Sequence, residues 1–207
     1  MSELQLPFYA MLFSLLLCFA YFLRKRINLI ENRIYSIMLI CSTIDCVLVV
    51  VLRALSIGNI TPTIIRIATF LNKLDFIQLI IISSCLFLYM LLVTFPEIYT
   101  KSKYVFKLIS ILNLIGIIIM LFSGVEFISN NSSFSVRGGA INITYFLCLL
   151  YIISTIIVPL LNIKHLDKRH IPMLFVVVSC IFLFFVYKYN PYLIVISITI
   201  TLVNYLM

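Results

Sequence analysis

Between positions 79 and 95 the chain reads "LIIISSCLFLYMLLVTF", seventeen residues with no charge, apolar on every face of a helix. A strand of a transmembrane barrel alternates between lipid and lumen with period two over about 10 residues, and this stretch does not. Similar runs recur along the chain. Several approach or exceed the roughly 20 residues that a helix needs to cross about 30 Å of hydrocarbon. No water-soluble core needs so much apolar sequence: 64% of the 207 residues are hydrophobic, 11% are charged, and the mean hydropathy is +1.22. The pattern predicts an integral membrane protein of all-α class, a polytopic transmembrane helix bundle forming a single domain over 1–207.

The runs place seven spans, at about 6–23, 34–57, 67–95, 108–127, 141–163, 171–187 and 193–207. The third is too long for a simple crossing and is expected to tilt or to project at its outer end. The longest connection, "SNNSSFSVRGGA" at 129–140, reads as solvated turns from its Asn, Ser and Gly content. Ten of the 15 basic residues fall on one set of alternating loops: Arg24, Lys25, Arg26, Arg33, Lys101, Lys103, Lys107, Lys164, Lys168 and Arg169. The other five are Arg53, Arg66, Lys73, Arg137 and Lys188. Basic residues favour the cytoplasmic side, so the N-terminus is expected outside and the C-terminus inside. The "RKR" cluster follows the first apolar run instead of preceding it, unlike a cleavable signal peptide. A net charge of +8 is then explained by cations that flank helices and meet lipid headgroups, not by nucleic-acid binding.

Catalytic chemistry is sparse. Cys18, Cys41, Cys46, Cys85, Cys148 and Cys180 all fall within spans, with no CxxC pair and no Cys/His cluster, and read as small apolar fillers. Three glycosylation sequons, at Asn59, Asn131 and Asn142, matter only in a secretory eukaryotic setting. His165 and His170 share the loop "NIKHLDKRH"; a solvated interfacial loop is favoured there over a metal or general-base role. There are no histidines inside spans to hold haem, and no Walker, HExxH or GxSxG motif. The chain as given is expected to be no enzyme and to hold no metal or cofactor.

Polar groups at membrane depth remain, and these are costly to bury. Counted inward at 1.5 Å per residue, Arg53 lies about 6 Å deep, Lys73 about 9 Å, Asp75 about 12 Å and Asp45 about 18 Å. The short link 58–66 makes the second and third spans antiparallel neighbours, so an Arg53–Asp75 or Lys73–Asp45 ion pair is expected between them. In "NKLDFIQ" (72–78), Asn72, Asp75 and Gln78 are three apart and share a helix side, with Lys73 at its edge. Glu126 and Arg137 are expected to complete an outward-facing polar pocket. Structural glue between helices is the first reading of this set, a sensing or gating site the second, and ion passage the third.

The last run supplies 15 residues, about 22 Å of helix, which reads as a chain truncated before a further domain. The stretch "YFLRKRINLIENRIYSIMLICSTIDCVL" (21–48) and the ending "TLVNYLM" (201–207) resemble the N-terminal membrane region of polytopic sensor histidine kinases of Gram-positive bacteria. The resemblance implies a sensory input or anchoring module in the plasma membrane, followed in that family by a cytoplasmic linker, a dimerisation helix pair and an ATP-binding domain. Its implied partners are the lipid bilayer, a downstream cytoplasmic signalling domain and a second copy in a homodimer, with no nucleic acid. None of the family's catalytic parts is present, so no kinase residue carries over. A small transporter or channel subunit and a non-sensing membrane anchor are the alternatives.

Overall fold

Where no water reaches the backbone, its N–H and C=O groups must be satisfied within the segment itself, and the apolar runs accordingly fold as helices. The computed structural model describes residues 2–23, 30–57, 61–95, 103–130 and 133–161. Five helices run in chain order: α1 (Ser2–Leu23), α2 (Ile30–Ile57), α3 (Pro62–Thr94), α4 (Lys103–Phe122) and α5 (Gly139–Leu160). Four of them, α2 to α5, are long and apolar enough to cross a membrane, while the apolar part of α1 is 17 residues, Pro7–Leu23. The expected spans at 171–187 and 193–207, and the loop carrying His165 and His170, lie outside the described residues.

Helix α4 starts and ends five residues before the expected 108–127, α1 and α2 each start four residues early, and two further differences have a clear local reason. Helix α3 begins at Pro62, five residues before the expected 67. Thr61 caps it, its Oγ1 accepting from Ile64 N at 3.3 Å, and Pro62 occupies the first turn, where a missing N–H costs nothing. The other difference is the loop after α4. It is not a run of solvated turns but an antiparallel hairpin, β1 (Glu126–Asn130) with β2 (Ser133–Arg137), in the register Glu126↔Arg137 to Asn130↔Ser133. The hairpin is locked to its neighbours at Gly138, whose φ of 133° lies in the left-handed region and whose missing Cβ would overlap the Gly124 carbonyl oxygen.

Helix α3 is central. It packs most extensively on α2 and then on α5, while α1 lies against α2 and α4 against α5 and α3. One apolar cluster joins Ile34 and Met38 of α2 to Ile82, Leu86 and Met90 of α3; a second joins Phe76 of α3, Met120 of α4 and Ala140 of α5. Half of the most apolar stretch of α3 is buried (50%) against 17% for α4, so α4 turns most of its surface outward. Hydroxyls inside these apolar helices satisfy themselves on their own backbone: Ser42 and Thr43 donate to Leu39 O, Thr94 to Met90 O, Thr144 to Ala140 O and Thr155 to Tyr151 O. Because the single Thr43 proton is directed to Leu39 O, the 3.0 Å contact between Ser14 Oγ and Thr43 Oγ1 must use the Ser14 proton. It ties α1 to α2.

Candidate functional site

The α2–α3 hairpin sets the site. From Ile57 back to Asp45 is 12 residues, about 18 Å of helix, and from Pro62 forward to Asp75 is 13, about 20 Å. Two antiparallel helices joined by a short link thus bring these residues to one level, and their carboxyl groups lie within hydrogen-bond reach of each other. Asp45 is 1% exposed. The Cys41 and Cys148 thiols, from α2 and α5, lie close enough to Asp45 to interact with it electrostatically.

Most buried polar atoms in a folded protein find a partner. Here Oδ1 of Asp45, Oδ1 of Asp75 and Oε1 of Gln78 are buried without one. Gln78 stands three residues beyond Asp75, on the same side of α3. Asn72, three residues the other way, is buried and satisfies its amide by donating from Nδ2 to Ala68 O at 2.9 Å. Of the polar strip expected along α3, Asp75 is the residue that meets α2.

The cations are arranged differently from expectation. Lys73 does not reach Asp45; its Nζ donates to Leu121 O at 2.6 Å, on the last turn of α4. A carbonyl there has no helical partner and carries the negative end of the helix dipole, so an ammonium is well matched to it. Arg53 lies eight residues from Asp45 along α2, half-buried, and among the described residues it forms no ion pair with Asp75. Glu126 and Arg137 are not drawn into the pocket. They face each other across the first rung of the hairpin, both exposed, as an opposite-charge cross-strand pair.

Phe76, the residue after Asp75, packs with Met120 near the end of α4 and Ala140 at the start of α5, so Asp75 lies toward the hairpin end of the bundle. The pair is enclosed laterally by α2, α3 and α5. Among the described residues no group of three or more His, Cys, Asp or Glu side chains is placed to hold a metal ion. Comparison with protein-family models, with curated proteins and with solved structures finds no match to this chain, so the case for function is carried by the geometry of the α2–α3 interface.

Proposed function

We propose that the chain is a multi-pass plasma-membrane sensory module, with seven spans, its N-terminus outside and its C-terminus inside, that relays a stimulus to a cytoplasmic effector such as a histidine kinase. The observation that supports this reading is the facing pair Asp45–Asp75, with a buried, unpartnered oxygen on each carboxyl. A polar contact that served only to glue α2 to α3 would gain most from full hydrogen bonding, as the hydroxyls elsewhere in these helices have it. Two acids held against each other instead make the packing of α2 on α3 depend on what neutralises them. A stimulus that changes their charge shifts the bundle between two packings, which is what a relay requires.

Spin labels at Arg53→Cys and Arg66→Cys, near the adjoining ends of α2 and α3, test the relay. The distance distribution in reconstituted protein is expected to change when Asp75→Asn removes the charge. A distribution unaltered by Asp75→Asn, and also by Asp45→Asn, would sink the relay. The same unpartnered oxygens favour one second reading, an ion pathway through the pair. Against it, α2 and α3 are continuous across the site, and among the described residues prolines stand inside helices only at Pro7 of α1 and Pro159 of α5. Flux into liposomes that is abolished by Asp75→Asn would establish the pathway.

A further inference from the structure

We propose that Asp45, Asp75 and Gln78 form a binding site for a hard monovalent cation, with sodium as the probe. The inference deepens the sensory reading by naming what the acid pair takes, and it rests on that reading for its consequence but not for the binding itself.

Three features of the pair carry it. The first is the donor deficit: three buried oxygens from two helices, one of them the neutral amide oxygen of Gln78, accept no hydrogen bond, and Asp45 is 1% exposed. Burying an unpaired acceptor is unfavourable, and burying a bare carboxylate far more so. The nearest cation on α3, Lys73, is committed to Leu121 O. A cation placed between them would satisfy atoms that no described side chain does.

The second feature is charge. Two carboxyls in hydrogen-bond contact hold together when one proton sits between them, because an ionised carboxylate only accepts. That arrangement leaves one negative charge, which one monovalent cation balances. A divalent ion fits less well. Calcium takes 6–8 oxygens and magnesium keeps several waters, and among the described residues no third acidic, histidine or cysteine ligand joins the pair. Carboxylate and amide oxygens without soft donors suit a hard ion.

The third is access. Phe76, beside Asp75, packs with Met120 near the end of α4 and Ala140 at the start of α5, so the Asp75 side of the pair lies toward the hairpin end, from which an ion would enter. Acid competes with the cation, since a second proton removes the charge that the ion balances. The groups facing the pair are Asp45 and Asp75 themselves, Cys41 on α2 and Cys148 on α5, with Lys73 turned away on α3.

Equilibrium binding of sodium-22 to the full chain in lipid nanodiscs at pH 8, with choline as the balancing cation, tests the site. Saturable binding of one ion per chain is expected, displaced by unlabelled sodium and by acidification to pH 5. Asp75→Asn should weaken it at least tenfold. Gln78→Leu, which keeps both carboxyls and the apolar packing, should weaken it several-fold, so the assignment stays testable if an aspartate variant fails to fold. No saturable binding by wild-type protein whose helicity is intact would overturn the proposal, as would binding unchanged by Gln78→Leu and Asp75→Asn. Stabilisation by acid without sodium binding would identify a proton site instead, overturning the cation but sparing the sensory reading. Sodium binding that leaves the Arg53→Cys/Arg66→Cys distance unmoved would sustain the site and overturn the relay.

Discussion

Tyr151 is 2% exposed, and its hydroxyl donates to Asn113 Oδ1 at 2.6 Å, joining α5 to α4. Its ring also lies 6.0 Å from that of Phe87 on α3, so this one side chain of α5 touches two other helices. Removing the hydroxyl leaves an amide oxygen with no donor in an apolar setting. Tyr151→Phe is expected to cost about 1–2 kcal/mol, read as a lower thermal-unfolding midpoint in detergent. Tyr151→Leu should cost more because the ring contact goes too. Gly116 marks a different constraint at the α4–α5 contact, where a Cβ would overlap the Leu147 side chain. Leu147 is flexible at that end and can give way to a methyl group, but a branched residue asks more. Gly116→Val should separate α4 from α5 and lower the midpoint, whereas Gly124→Ala, with open space around it, should not. Residue-level reading from sequence reached Asn72, Asp75 and Gln78 on one side of α3 because helical spacing alone decides that. It could not find Tyr151, since nothing local distinguishes a buried tyrosine from the others in an apolar run.

At the scale of elements, the decisive difference is where α3 starts. Apolar periodicity begins at 67, but the helix begins at Pro62, because Thr61 and Pro62 carry a start signal that hydrophobicity does not see. Those five residues add about 7.5 Å to the count of depth along α3. They move Asp75 from a level midway between Arg53 and Asp45 to that of Asp45, and an expected ion pair gives way to a pair of acids. Thr61→Ala removes the Oγ1 acceptor for Ile64 N and is expected to fray the first turn, at a cost of about 1 kcal/mol. Amide exchange at Ile64 and Ile65 would show it as faster exchange, with the remainder of α3 unchanged. The hairpin was legible in part. "SFSVR" alternates polar and apolar residues with the period of a strand, but the Asn and Ser of the surrounding loop masked it as turns. Lys73 was misassigned because a lysine stem is long enough to reach either neighbour of α3, and only the packing of α4 beside it decides between them.

For the whole molecule, composition pointed to the class, and four described helices are long and apolar enough to cross a membrane. The order of the elements then allows the orientation to be tested. The β1–β2 hairpin joins α4 to α5, on the same end of the bundle as the α2–α3 link, since Lys73 near that link's side of α3 touches the last turn of α4. Arg53, Arg66 and Arg137 gather toward this end, and Arg33 and Lys107 toward the other. Over the whole sequence ten of the 15 basic residues fall on the loops of that other end and five do not, so the bias of basic residues to the cytoplasm predicts the hairpin outside in the proposed topology. Ser135 in β2 and Leu166 beyond α5 should then lie on opposite sides of the membrane, with one span between them. In a variant stripped of its native cysteines, a membrane-impermeant maleimide added to intact cells should label Ser135→Cys and leave Leu166→Cys unlabelled until the membrane is permeabilised. The reverse pattern would invert the topology, put the Asp45–Asp75 pair near the cytoplasmic face, and turn an outside stimulus into an inside one. Labelling of both positions in intact cells would remove α5 from the set of crossing helices, and with it the lateral wall that encloses Asp45.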